Sequence, residues 1–153
     1  MGTPVGSLDG TLAALRGRKV YFDTNVFVYF LEGHERYAEK CLPFFHAAEN
    51  GLITGVSGEL AIAELLVKPL RDNNLLAAEK VRSMFGDQGF FRALAHDRGA
   101  LELAAHIRAV QNLSMIDAIH LATAIKAGCS HIITNDEQVA QRARGIAVMR
   151  LQA

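Results

Sequence analysis

One alternation constrains this chain more than any other feature: short runs of β-branched and aromatic residues are separated by longer, helix-like stretches. Val20-Tyr21-Phe22, Leu52 to Val56 and His131 to Thr134 are the clearest runs, and Phe90 to Leu94 and Ile146 to Met149 are weaker strand candidates. Runs this short and this continuously apolar suit strands that are covered on both faces. Between them, Ala38, Cys41, Leu42, Phe45 and Ala48 recur at a spacing that places them on one helix face. Strands alternating with helices imply an α/β fold, expected here as a three-layer α/β/α arrangement around a central, mainly parallel sheet of about five strands.

Helix ends are signalled by side chains able to accept from free backbone N–H groups. Ser57 is expected to cap a helix running toward Lys68 before Pro69, Ser114 one ending before Gly128, and Thr134 one ending before Gly145. A chain of 153 residues, half of them hydrophobic, is long enough for one sizeable core. The expected organisation is a single domain over residues 19–153 after an N-terminal extension, residues 1–18. That extension offers only a short amphipathic piece and the basic knot Arg16-Gly17-Arg18-Lys19.

Sixteen Lys and Arg residues balance sixteen Asp and Glu residues, so no global field of either sign announces a nucleic-acid or membrane partner. Cys41 and Cys129 stand far apart with no C-x-x-C pair, which argues against a zinc knuckle or a disulfide framework and fits a reducing, cytoplasmic setting. No apolar run approaches the roughly 18 residues of a membrane span, and the start, MGTPVGSLDG, lacks the apolar core of a signal peptide. A membrane location is not expected.

In open parallel sheets, ligands sit outside the carboxyl ends of the strands, so an acid placed just after a strand is a site candidate. Asp23 and Asp136 both occupy such positions. Glu64 lies on a helix among Leu60, Ala61 and Val67, and Asp117 on a helix apolar nearly all round, expected to be buried, with His120, Leu121 and Ala124 near it. Each acid also has a simpler reading. Asp23 could cap the helix that starts at Thr24, and Asp117 could be the third-position acid of a capping box opened by Ser114. Asp136 could be a first-turn acid favoured by the helix dipole, with Thr134 and Glu137 forming a capping box, and Glu64 could pair with Lys68 one turn on. Taken together the four point elsewhere, because carboxylates crowded at one sheet edge repel one another and take up protons unless a cation neutralises them. All-oxygen ligation suits Mg²⁺ or Mn²⁺, ions that keep waters and accept phosphate oxygens, which is the chemistry of phosphodiester hydrolysis.

The segments VYFDTNVFVYF (20 to 30), TGVSGELAIAELL (54 to 66), LSMIDAIHLATAIKAGC (113 to 129) and HIITNDEQVA (131 to 140) together resemble the PIN-domain family, in order and in spacing, over roughly residues 19 to 150. The D-T-N motif of Asp23, Thr24 and Asn25 is only moderately specific alone and gains its weight from the other three blocks. The resemblance implies that Asp23, Glu64, Asp117 and Asp136 are the family's four acids, with Ser57 and Thr134 as supporting hydroxyls and Asn25 orienting Asp23. It implies a ribonuclease in which Asp23 and Asp117 hold Mg²⁺ or Mn²⁺ directly while Glu64 and Asp136 complete the site directly or through water. Within the family the chain looks most like the VapC toxins, which implies an RNA substrate, a cognate antitoxin covering the active-site groove, and a homodimer.

Two features sit apart from that pattern: the long leader before the first strand, and His120 one turn from Asp117. His120 reads either as a further ligand or substrate contact, or as a structural group with a backbone partner. Lys68, Arg71, Arg16, Arg18 and Lys19 are the local cations available to RNA, and each could equally be solvated surface. A haloacid-dehalogenase-like phosphatase also places an Asp after its first strand but needs a second one two positions later, where this chain has Asn25. A catalytically silent PIN-like binding module would be expected to have a broken acidic set, and here the four acids are intact.

Overall fold

Successive side chains of a strand point to opposite faces. In the first strand all three of Val20, Tyr21 and Phe22 are fully buried, so the strand is covered on both sides. Val20 and Phe22 enter one core, and Tyr21 enters another with Val56 and Ile132. The computed structural model describes residues 6–151 and realises this as five strands and eight helices among them. The strands are β1 (Lys19–Phe22), β2 (Thr54–Gly58), β3 (Arg92–Leu94), β4 (His131–Ile133) and β5 (Ala147–Met149). They form one sheet in the order β3-β2-β1-β4-β5, and every neighbouring pair is parallel.

The helices are α1 (Gly6–Ala14), α2 (Thr24–Glu32), α3 (Ala38–Glu49), α4 (Glu59–Arg71), α5 (Leu75–Met84), α6 (Arg98–Gln111), α7 (Met115–Lys126) and α8 (Glu137–Arg142). Helices α2 to α5 cover the Val20 and Phe22 face, where Phe22, Phe27, Phe45 and Phe91 pack largely edge to face. Helices α6, α7 and α8 carry the core of the other layer through Ala104, Ile107, Leu121 and Val139. Leu15, ahead of β1, is fully buried in the first core, so part of the leader packs on the domain. Residues 1–5 of that leader lie outside the described residues.

Several expected boundaries move, each for a local reason. β2 begins two residues after Leu52, because the Leu52 and Ile53 N–H groups both go back to the Ala47 carbonyl in the turn that closes α3; the Thr54 N–H is the first to reach across, to Arg18. Ser57 therefore lies inside β2 and is no helix cap: Gly58 takes that position, and the Ser57 hydroxyl donates to the Phe22 carbonyl at 2.7 Å. α4 runs past Pro69 to Arg71, since a proline in the last turn forfeits one helical bond while the N–H groups of Asp72 and Asn74 still reach Lys68 and Pro69. α8 is capped by Asp136 in place of Thr134 and ends at Arg142, ahead of the expected end. Ser114 caps α7 as expected, through the Asp117 N–H, and Gly128 follows with φ +76°. α7 is not uniformly buried: Met115 and Ile116 in its first turn are 46% and 47% exposed.

Candidate active site

The sheet order reverses at β1: the chain builds outward through β2 and β3, then returns to place β4 on the other side of β1. A crevice outside the carboxyl ends of β1 and β4 is the expected binding position in such a sheet. Asp23 follows β1 directly, and its own N–H donates to the Ile133 carbonyl of β4 at 3.0 Å. Its carboxylate accepts from the Thr24 N–H at 2.8 Å and from the Thr134 hydroxyl at 2.6 Å. Burial raises its pKa above the ordinary carboxylate value, and Glu64 adds to the rise, against the opposing pull of His120, Thr134 and the Thr24 N–H.

Thr134 ties this corner together. Its fully buried hydroxyl donates to Asp23 and accepts from the Asp136 N–H at 3.0 Å and from Asn25 Nδ2 at 3.1 Å, which uses its one donor and both acceptor positions. Asn25 thus steadies Asp23 at one remove, through Thr134. Asp136 receives the Gln138 and Val139 N–H groups on Oδ1 at 2.8 and 3.0 Å, so it caps α8 itself and is not the first-turn acid of a capping box opened by Thr134. The half-buried Asp117 stands in the first turn of α7. Its pKa is raised, first by burial and then by Asp136 and Asp23, while the Ser114 hydroxyl and His120 pull the other way.

Glu64 does not pair with Lys68, which reaches Glu32 at 3.1 Å instead. Its Oε1 accepts from the Thr24 hydroxyl at 2.7 Å and lies 2.8 Å from His120 Nε2. Burial pushes the Glu64 carboxyl up, but the hydrogen bonds from His120 and Thr24 outweigh it and hold the group below its ordinary value. On the far side of the imidazole, His120 Nδ1 is 2.6 Å from the Tyr21 hydroxyl. Burial first, and then the nearby Asp23 charge, push the Tyr21 pKa far above normal, so it stays a phenol. His120 is thus buried with side-chain partners on both ring nitrogens, in place of the backbone partner of its structural reading.

Tyr21, Thr24 and His96 are the members of this corner that the sequence reading left without an assigned partner or did not single out. His96 follows β3 as Asp23 follows β1, so the strand-end rule applied to β3 points to it. The Leu60 N–H donates to its Nε2 at 3.0 Å, and its Nδ1 lies 2.6 Å from the Thr123 hydroxyl. With Nε2 accepting, the neutral ring carries its proton on Nδ1, in keeping with a pKa lowered by burial and by His120. The basic knot lies elsewhere. Arg16, Arg18 and Lys19 precede or begin β1, one strand length from Asp23 at the opposite edge of the sheet, and Lys19 Nζ donates to the Ala127 carbonyl.

The donor chemistry suits a hard divalent cation: Asp23, Asp117 and Asp136 interact electrostatically, and two of them are held above their ordinary pKa values. Among the described residues, no three His, Cys, Asp or Glu groups stand close enough to hold one ion between them. Asp23, Glu64 and Asp136 accept hydrogen bonds from protein donors.

With that geometry in place, a comparison decides the family: the profile of the PIN domain matches residues 20–145. The chain belongs to the PIN domain family. The matched PIN domain spans β1 to the end of α8, and so includes all four acids. No curated protein sequence matches the chain. Among solved structures, VapBC2 from Rickettsia felis, bound to a DNA fragment from its promoter, is similar with TM-score 0.67 and 14% identity, covering 88% of this chain and 99% of that one. A toxin–antitoxin complex from Klebsiella pneumoniae gives TM-score 0.65 at 19% identity, covering 84% and 95%. VapC20 from Mycobacterium tuberculosis, a toxin that cleaves the sarcin–ricin loop, gives 0.64 at 12%, covering 84% and 98%. At these identities the likeness establishes the five-stranded parallel PIN fold. No helix among the described residues is long and apolar enough to cross a membrane.

Proposed function

We propose that this PIN domain is a metal-dependent endoribonuclease and the toxin of a toxin–antitoxin pair. The observation that carries the reading is the acidic corner at the β1/β4 switch point, where burial first, and then Glu64 at Asp23 and Asp136 and Asp23 at Asp117, hold these two acids above the ordinary carboxylate range. Family membership and the toxins among the similar structures support it. One of those toxins cuts RNA, which favours RNA as substrate. Asp23 and Asp117 would hold Mg²⁺ or Mn²⁺ directly, with Glu64 and Asp136 completing the site directly or through water. Such an ion, when bound, supplies positive charge at the scissile phosphate and a water of lowered pKa. Thr134 fixes the Asp23 carboxylate, and Thr24 and His120 fix Glu64. No protein nucleophile is needed. The partners in this reading are RNA, a cognate antitoxin and a second copy of the chain, and the setting is the cytoplasm.

The test is cleavage of a mixed cellular RNA pool by the purified protein with Mg²⁺, Mn²⁺ or EDTA, in parallel with Asp23→Asn. The variant keeps the shape and the helix-capping oxygen but loses the charge. Cleavage that needs the metal and disappears in Asp23→Asn is the expected result. Undiminished metal-dependent cleavage by the variant would sink the assignment. No cleavage under any condition would favour either a very narrow specificity or a silent PIN scaffold.

A further inference from the structure

Both ring nitrogens of His120 are committed in a side chain that is only 2% exposed. Nε2 faces Glu64 Oε1 at 2.8 Å and Nδ1 faces the Tyr21 hydroxyl at 2.6 Å. The ring is held edge-on between two others, with Tyr21 at a centroid distance of 5.7 Å and His96 at 5.8 Å. Gly58 makes this crowding possible, since a Cβ there would overlap the His96 ring and the Tyr21 hydroxyl. Neither nitrogen has a lone pair free to meet a metal ion, so His120 is not a ligand in this arrangement.

We infer that His120 is a positioning residue for the metal site: the Tyr21 hydroxyl orients the imidazole, and Nε2–H fixes the Glu64 carboxylate. The inference rests on the reading of Glu64 as a metal ligand. Two donors, His120 Nε2 and the Thr24 hydroxyl, converge on the same oxygen, Oε1. Together they fix the plane of the carboxylate and keep Oε2 for another ligand. Thr24 and Tyr21 flank the Phe22-Asp23 step, so the chain Tyr21, His120, Glu64, Thr24 couples the α4 acid to the backbone that carries the β1 acid. Two acids on separate elements are thereby set in one frame before a cation arrives. Partners of this kind, one bond removed from the metal, typically change affinity by about 10–100-fold when removed.

Mn²⁺ binding to the RNA-free protein tests this directly, with free Mn²⁺ read by electron paramagnetic resonance and folding checked by circular dichroism. His120→Ala should weaken Mn²⁺ binding by about 10-fold or more in protein that remains folded. His120→Gln, whose amide can donate to Oε1, should recover most of that loss, and Tyr21→Phe should show a smaller one. A merely structural histidine would lower the melting temperature of the variants and leave the Mn²⁺ affinity of the folded protein unchanged, which would overturn the inference. So would a glutamine variant no better than alanine. If His120→Ala does not fold, Tyr21→Phe decides the matter, and wild-type affinity in that variant overturns the inference. Wild-type protein that binds no Mn²⁺ would instead remove the metal-centre reading itself.

Discussion

At Asp23 the same side chain is both a helix cap and a strained charge. Capping alone would leave a carboxylate at or below its ordinary pKa, whereas burial lifts this one. The consequence for stability has a definite sign. A folded-state pKa above the unfolded value means that the unfolded chain ionises first as pH rises, so stability drains away from the ordinary carboxylate range up through the raised value. Asp117 acts in the same direction, while Glu64, held low, acts oppositely and loses its contribution only as pH falls through its folded pKa. At neutral pH the ionised pair therefore carries a penalty that the proposed cation would relieve. Mn²⁺ should raise the melting temperature at neutral pH and much less in mild acid, where protons already neutralise Asp23 and Asp117. Asp23→Asn, melted in EDTA at neutral pH, should be at least as stable as the wild type and should lose most of the Mn²⁺-induced rise. A clear drop in its EDTA melting temperature would show that ionised Asp23 stabilises the fold. The acids were legible in the sequence because strand ends and apolar helix faces mark them. The hydroxyls and imidazoles that orient them were less so: whether Thr134 caps a helix or holds Asp23, and whether His120 meets backbone or Glu64, depends on contacts 111 and 56 residues apart.

At the scale of elements, the alternation of runs marked the five strands, while their order in the sheet came from the fold and their ends were set by competition for backbone donors. Leu52 and Ile53 look like strand residues by type, yet their N–H groups close the turn after α3. The Ser57-Gly58 step shows the same limit. Serine is the better cap by its chemistry, but it is buried in the ladder with its hydroxyl on Phe22, and the N-cap of α4 falls on Gly58, where a Cβ would meet His96 and Tyr21. Gly58→Ala should therefore cost about 1–3 kcal/mol by overpacking, read from urea unfolding, and should displace His96 from the Leu60 N–H. A variant within experimental error of the wild type would mean that the two rings yield freely and that the crowding around His120 is not rigid.

Across the whole molecule, charge is balanced and the basic knot lies at the end of β1 away from Asp23. A groove of about 360 Å³ between α2, α4 and α5 runs from Glu64 along Val28, Leu65 and Leu76, with Lys68 and Lys80 among its polar lining. Leu76 is 77% exposed, and Val67, Leu70 and Leu75 nearby are at least half exposed. If the antitoxin of the proposed pair lies along this groove, an apolar segment of it should cover Leu76 on its way to Glu64, and the groove becomes a switch on the nuclease without being part of it. Leu76→Asp should then leave folding and RNA cleavage by the free protein nearly unchanged, since an exposed substitution costs within about 0.5 kcal/mol. It should weaken antitoxin binding by about tenfold or more, as expected for an anchor position in an apolar interface. Growth of cells co-expressing the two proteins reads the difference directly: the variant should stay toxic at antitoxin levels that silence the wild type. Equal silencing of both would move the antitoxin off this face, to the other apolar patch beside the acids, where Val110, Met115 and Ile116 stand exposed at the junction of α6 and α7.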